Sequence, residues 1–361
     1  MTLPAFWNYQ DHKEIPFLLK MRSEWQKTKP LTGIRILHNI PLTLDTLCKV
    51  DILLQAGAIV TLTRTKSIRP IVEEKTYPYI STLGIEYIPE HDMLQGRDNE
   101  FDFILDCSAE IANIVKPRKG IIELTQSGTQ IYRNFEAHVP IISVDDSKLK
   151  NLETFLGTAE GFLRAFKTFS PHPVTQGPVV IFGYGKVGSG VTDSLLKETK
   201  DITVIDSSPR ALEVARARGL KAISFFEKLE VEKVIASAHT IITASGVKNL
   251  ISDNYSSSLF KGKTLANVGA EDEFGPSFSD EQVLANKQPL NFSLPNPTKM
   301  RYLDPIFYAH NLGCKIILDQ QLEPGYYPLS PEIDSQILQA WQRHYPEEDL
   351  SVLGMPTLLA A

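Results

Sequence analysis

Cysteine is scarce in this chain: three residues in 361, Cys48, Cys107 and Cys314, lie far apart and match neither CxxC nor a zinc spacing. A disulfide framework is thereby excluded, and a reduced, cytoplasmic setting is expected. Positive charge is not in excess either. The 37 Lys+Arg against 43 Asp+Glu leave a formal charge of -6, so no basic field draws in nucleic acid or anionic lipid. No stretch approaches the ~18 apolar residues of a membrane span. The opening MTLPAFWNYQDHKEIPF has charge and proline where a signal peptide needs an apolar run. Neither nucleic acid nor membrane is therefore expected as a partner. The eight histidines form no HExxH or other ligand spacing, so no metal centre is expected. Low-complexity sequence and short-period repeats are missing as well.

What is present is an ordinary globular composition, 42% hydrophobic and 22% charged, long enough for two domains. Short apolar runs alternate with amphipathic stretches almost from end to end: GIRILHN, AIVTLT, IEYIP, FDFILDC and VPIISV in the first half, VVIFG, ITVID, LKAIS, TIITAS and TLANVG in the second. Such runs lack polar alternation because buried parallel strands are covered on both faces. The pattern predicts an α/β chain of two Rossmann-like, doubly wound domains. Helices are expected over 17–27, 43–55, 148–169, 186–197 and 209–218. SPHPVTQGP at 170–178 is the plainest linker composition. The domains are set at 1–160 and 161–327, with 328–361 and its helix returning to the first.

The string VVIFGYGKVGSG places Gly183, Gly185 and Gly188 in the GxGxxG pattern between an apolar strand and a helix opened by Lys186 and Val187. The first glycine permits the tight turn, the second the approach of a pyrophosphate, the third close packing of helix on strand. The next strand ends in Asp206, followed by Ser207. A carboxylate there accepts the ribose hydroxyls of an adenosine and repels a 2′-phosphate, which selects NAD over NADP. Arg210 could soften that choice or simply face solvent.

With this loop, a set of further strings resembles the S-adenosylhomocysteine hydrolase family over about residues 15–345: IPFLLKMRSEW with KPLTGIRI, PLTLDT, FDFILDC, GIIELTQSGTQIY, VPIISVDDSKLK with LGTAEG, then TASG and NVGAED. The resemblance implies a substrate domain followed by an NAD-binding domain, with NAD at the cleft between them. Thr43, Asp45, Thr46, Asp106 and Glu123 match substrate-binding positions. Lys150 matches the catalytic lysine, and Glu153 the aspartate after it, with one residue deleted between them. Thr125, Gln126 and Ser127 replace three threonines on the nicotinamide side of the cofactor. Thr154, Ser245, Gly246, Asn267 and Gly269 fall on the remaining cofactor positions.

The family's acid/base set is largely replaced. Pro41 stands for a histidine, Cys107 for a second aspartate, Leu124 for a second glutamate and Ala270 for another histidine. The glycine-rich stretch ending in His-Pro-Ser that closes on adenine has no counterpart, and the chain ends in LSVLGMPTLLAA in place of the family's Lys-and-Tyr tail. A homodimer is therefore expected rather than the family tetramer. His38, three residues before Pro41, either takes over acid/base work or is a structural hydrogen-bond donor. Cys107 is a nucleophile, a substrate contact or a buried filler. Lys150 and Glu153 form either a catalytic couple or a surface ion pair.

Three functions follow. The first is an NAD-dependent redox enzyme acting on a small hydroxylated molecule other than adenosylhomocysteine. The second is hydrolysis of adenosylhomocysteine by a remodelled site. The third is an NAD-binding regulatory protein without turnover.

Overall fold

The computed structural model describes residues 3–66, 73–348 and 350. The tail LSVLGMPTLLAA lies outside the described residues but for its first leucine. In chain order the strands are β1 (Arg35–Asn39), β2 (Ile59–Thr63), β3 (Glu86–Ile88), β4 (Phe103–Asp106), β5 (Gly120–Glu123), β6 (Pro140–Ser143), β7 (Val179–Phe182), β8 (Ile202–Asp206), β9 (Lys221–Ser224), β10 (Thr240–Thr243), β11 (Thr264–Asn267) and β12 (Gly325–Pro328). They form two parallel sheets in two compact units. One unit contains the chain up to Lys150 together with the chain from Met300 onward, and the other contains Asn151–Lys299.

In the first unit the strand order is β12-β6-β5-β4-β1-β2-β3, all parallel. FILD, GIIE and PIIS are buried at every position, as strands covered on both faces must be. One cover is a trio of helices, Pro16–Thr28, Leu44–Gln55 and Met300–Gln320, packed on one another, with the last also packed on β5. The Leu44–Gln55 helix begins where its sequence dictates. Thr43 accepts from the Thr46 amide while the Thr46 hydroxyl accepts from the Thr43 amide, a reciprocal cap.

The Met300–Gln320 helix contains Pro305, which has no N–H for the Arg301 carbonyl one turn earlier. Trp341 Nε1 donates to that carbonyl instead, at 2.7 Å, from the Pro331–His344 helix. Further along, a Cβ on Gly313 would lie 2.7 Å from Ile122, so glycine is what lets this helix approach β5.

In the second unit the order is β11-β10-β7-β8-β9, again all parallel. One face is covered by the Thr158–Phe169 and Lys186–Leu195 helices, the other by Lys228–Ser237 and the segments around Ile251, Phe260 and Phe274. The Thr158–Phe169 helix is entered through a π-helical turn, Leu152–Gly157.

The α/β class and the paired doubly wound architecture stand, while the unit boundaries differ from those set by composition. The first crossing is at Lys150 rather than 160, and SPHPVTQGP is internal to the second unit, joining its first helix to β7. The return is at Met300 rather than 328, because the helix beginning there packs on β5 and on Leu44–Gln55. No described helix is long and apolar enough to cross a membrane.

Candidate functional site

Each sheet reverses its winding once, between β1 and β4 in the first and between β7 and β10 in the second. The crevice beyond the carboxyl ends of such strands is where open α/β sheets hold ligands. At the second of these points the three glycines take three distinct roles. Gly183 has φ +100°, and a Cβ there would sit 2.4 Å from the Ala244 carbonyl oxygen. A Cβ on Gly188 would lie 2.0 Å from the Gly183 oxygen, so helix and strand touch through it. Gly185 has nothing within 4 Å of the corresponding position, leaving an open approach to the backbone.

Gly185 also begins the Lys186–Leu195 helix without a side-chain cap. The amides of the exposed Lys186 and half-buried Val187 thus stand at an uncapped, electropositive helix end suited to a pyrophosphate. Asp206, at the end of β8, accepts from the Tyr184 amide at 2.6 Å and the Ser208 amide at 2.7 Å. Each oxygen keeps acceptor capacity for ribose hydroxyls. Ser207 beside it is exposed. The residues present fit NAD.

The loop after β10 is held by a residue that sequence reasoning missed. Glu273, fully buried, accepts from the Ser245 amide (2.9 Å) and hydroxyl (2.6 Å) and from the Gly246 amide (2.7 Å). Burial raises its carboxyl and these bonds oppose the rise. A Cβ on Gly269 would fall 1.9 Å from this carboxylate, so Gly269 serves by making room for it. The Asn267 amide is occupied by the carbonyls of Gly269, Glu271 and Lys287, and its oxygen by the Thr243 hydroxyl. Asn267 therefore shapes the loop rather than projecting from it.

At the winding reversal of the first unit, Asp106 accepts from Asn39 Nδ2 (2.8 Å), from the Cys107 amide (2.8 Å) and from the Tyr132 hydroxyl (2.6 Å). Burial raises this carboxyl, with Glu123 adding to the rise. Asn39 Oδ1 is buried without a partner. Glu123 collects the amides of Ser108, Ala109, Leu124 and Thr125 and the Thr125 hydroxyl. Ser108 and Ala109 have φ +70° and +51°, a left-handed pair that side chains disfavour and that the bonds to Glu123 sustain. Gly128 accommodates Glu123, since a Cβ there would be 2.2 Å from its carboxyl carbon.

Thr125 also begins the Gln126–Tyr132 helix, Ser127 bonds to Ser108, and Gln126 is exposed. Thr43 and Thr46 cap their helix, and Asp45 accepts from Gln10 at 2.6 Å. Lys150 is buried at the close of the first unit's leading stretch, close enough to Cys107 and His310 to bias their protonation. Glu153 and Thr154 lie half-buried on the π-helical turn, in the second unit.

Cys107 and His38, for each of which the sequence leaves alternatives open, both lie in the interior of the first unit. Burial, then Glu123 and Asp106, push the Cys107 thiol well above its ordinary value. It is a buried neutral thiol rather than a thiolate nucleophile. His38 is fully buried in the sheet interior. Its Nε2 lies 2.6 Å from Lys49 Nζ, and its ring stands edge-on to His310 with centroids 5.8 Å apart. Burial holds all three bases well below their ordinary values. With no access to a ligand, His38 belongs to this buried cluster rather than to an acid/base site. Lys49 was invisible in the sequence because a lysine in an amphipathic helix reads as its solvated face. Among the described residues no group of three or more His, Cys, Asp or Glu could hold a metal ion.

The TrkA-N domain model matches residues 179–259, the span of the glycine loop and Asp206. An adenosylhomocysteinase from Thermotoga maritima is 25% identical in an alignment of 278 residues that covers 71% of this chain and 67% of that protein. A dipicolinate synthase polypeptide from Bacillus halodurans aligns over 80% of this chain and 99% of its own at 12% identity, with TM-score 0.54, a likeness of fold. The chain is thus similar to adenosylhomocysteinase over most of its length and carries an NAD-binding Rossmann unit.

Proposed function

We propose that this protein is an NAD-dependent redox enzyme acting on a small hydroxylated molecule other than adenosylhomocysteine. One contrast carries the reading. The dinucleotide cradle is built in full, with an open Gly185, an uncapped helix end and a carboxylate at Asp206. The substrate side, by contrast, has Pro41, Leu124 and a neutral Cys107 where the related family has ionisable groups. When bound, NAD supplies a two-electron acceptor for an alcohol.

The chain's own residues then have limited tasks. Lys150, buried and so poorly hydrated, takes the proton of the substrate hydroxyl. Asn39 and Asp106, both fully buried, brace the loop after β4 through the Cys107 carbonyl and amide and do not themselves touch the substrate. Asp206 accepts the adenosine ribose and disfavours a 2′-phosphate, so NAD is preferred to NADP. The working assembly is proposed to be a homodimer.

The test begins by denaturing freshly purified protein and quantifying released NAD+ and NADH by mass spectrometry. Hydroxylated nucleosides and sugars are then screened for turnover beside adenosylhomocysteine. Turnover of another alcohol that is lost in Lys150→Ala is the expected result. Hydrolysis of adenosylhomocysteine as the best reaction would overturn the substrate assignment. Intact biological activity in Lys150→Ala together with its loss in Gly185→Val would identify a non-catalytic NAD-binding protein.

A further inference from the structure

Both units hold the loop at their winding reversal with the same device. In the first, Glu123 at the end of β5 collects the amides of Ser108 and Ala109, in the loop after β4. In the second, Glu273, a few residues beyond β11, collects the amides of Ser245 and Gly246, in the loop after β10. β4 and β10 occupy equivalent places, each beside the first strand of its unit, and β5 and β11 are the next strands outward. Each carboxylate has a glycine opposite it, Gly128 and Gly269, where any side chain would collide. General packing gives no reason for a buried carboxylate at the same topological point in two differently built loops. Ligand crevices form at that point.

In the second unit the held loop is also a wall of the glycine turn. A Cβ on Gly183 would meet the Ala244 oxygen at 2.4 Å, the Ala244 carbonyl carbon at 2.6 Å and Ser245 Cα at 2.8 Å. The path from Glu273 to the pyrophosphate loop is therefore one of direct contact. The carboxylate fixes the Ser245 and Gly246 amides, these fix the Ala244–Ser245 backbone, and the Gly183 turn rests on that backbone. We propose that Glu273 is a positioning residue for the cofactor: its carboxylate sets the Ser245–Gly246 loop, and through it the Gly183 turn, in the form that accepts the dinucleotide, and protonation releases the loop. This rests on the NAD reading and adds proton-linked control to it.

The charged groups around Glu273 leave it as the titrating element of its loop. Asp272 is paired with Lys287 at 3.4 Å. Lys248 on the held loop, Asp253 on the short helix after it and Glu271 on Glu273's own segment are exposed. Three donors converge on the carboxylate, two amides and a hydroxyl. A carboxamide would turn its NH2 toward one of those donors, and a protonated carboxyl would likewise lose an acceptor.

The experiment is calorimetric titration of NAD+ into the full chain between pH 5 and 8, for wild type, Glu273→Gln, Glu273→Asp and Ser245→Ala. Wild type is expected to bind more weakly as the pH falls. Glu273→Gln is expected to lose about tenfold to a hundredfold in affinity at pH 8 and to flatten the pH profile, with Glu273→Asp recovering part of the loss. Ser245→Ala removes one bond to the charged carboxylate, so its pH midpoint should move upward; this arm serves even where Glu273→Gln does not fold. Unchanged affinity and profile in Glu273→Gln, or an unmoved midpoint in Ser245→Ala, would overturn the proposal while leaving NAD binding intact. Absence of binding in wild type would instead overturn the NAD reading beneath it.

Discussion

At the scale of single residues, glycines of one motif separate into ligand-facing and packing-facing positions. Gly185 has extended backbone, φ -74° and ψ -164°, and open space around it, so Gly185→Val should fold with a melting temperature near that of wild type. Its NAD affinity should fall by about a hundredfold or more, since the new side chain fills the approach to the pyrophosphate. Gly188→Ala must displace the Gly183 carbonyl and should lose about 1–3 kcal/mol in urea unfolding. Equal destabilisation by the two changes would contradict this division. Lys49 permits a second residue-scale prediction. Burial holds its folded-state value well below that of the unfolded lysine, so between the two values the unfolded state binds the extra proton and wild-type stability falls as the pH drops below about 10. Lys49→Met removes that linkage. Its stability relative to wild type should rise from pH 10 toward pH 7 by as much as about 1.4 kcal/mol per unit, read from paired denaturant titrations. A difference independent of pH would show that Lys49 is charged in the fold.

At the scale of elements, the strands legible in sequence were short runs rich in apolar and β-branched residues, such as VVIF and ITVI. β12, GYYP, was not, because its glycine and proline read as turn residues and its side chains are half-exposed at a sheet edge. The Met300–Gln320 helix was obscured in the same way by Pro305 and Gly313, local breakers whose effects are cancelled by tertiary partners that no window of sequence contains. The cofactor loop was legible because its chemistry is local. The Glu273 contact was not, because it joins residues 28 apart through the fold. For Pro305 the compensation can be measured. Trp341→Phe leaves the Arg301 carbonyl without its donor and should cost about 1–2 kcal/mol. Pro305→Ala restores a helical N–H, so the cost of Trp341→Phe should shrink in that background. Additive effects across this double-mutant cycle would mean that the indole bond does not stand in for the missing amide.

For the whole molecule, the decisive feature is that one unit is continuous in sequence and the other is not. Asn151–Lys299 contains all five strands of its sheet, the helices on both faces, the glycine loop, Asp206 and Glu273. Its apolar clusters are drawn from that span alone. The unit ending at Lys150 requires the later Met300–Gln320 helix against β5, β12 beside β6, and Asp304, whose carboxylate accepts from the Phe17 and Leu18 amides at the start of the Pro16–Thr28 helix. A fragment spanning 151–299 should therefore unfold cooperatively and bind NAD+, and a saturating excess of about a hundredfold over Kd should raise its stability by about 2.7 kcal/mol. A fragment ending at Lys150 would expose the face of β5 that the later helix covers and leave two helix-start amides unsatisfied, so it should not fold cooperatively. Denaturant titrations of the two fragments, with and without NAD+, decide the matter. Cooperative folding of the 1–150 fragment would mean that the return of the chain is dispensable. Failure of the 151–299 fragment would mean that the cofactor unit depends on chain outside its own core.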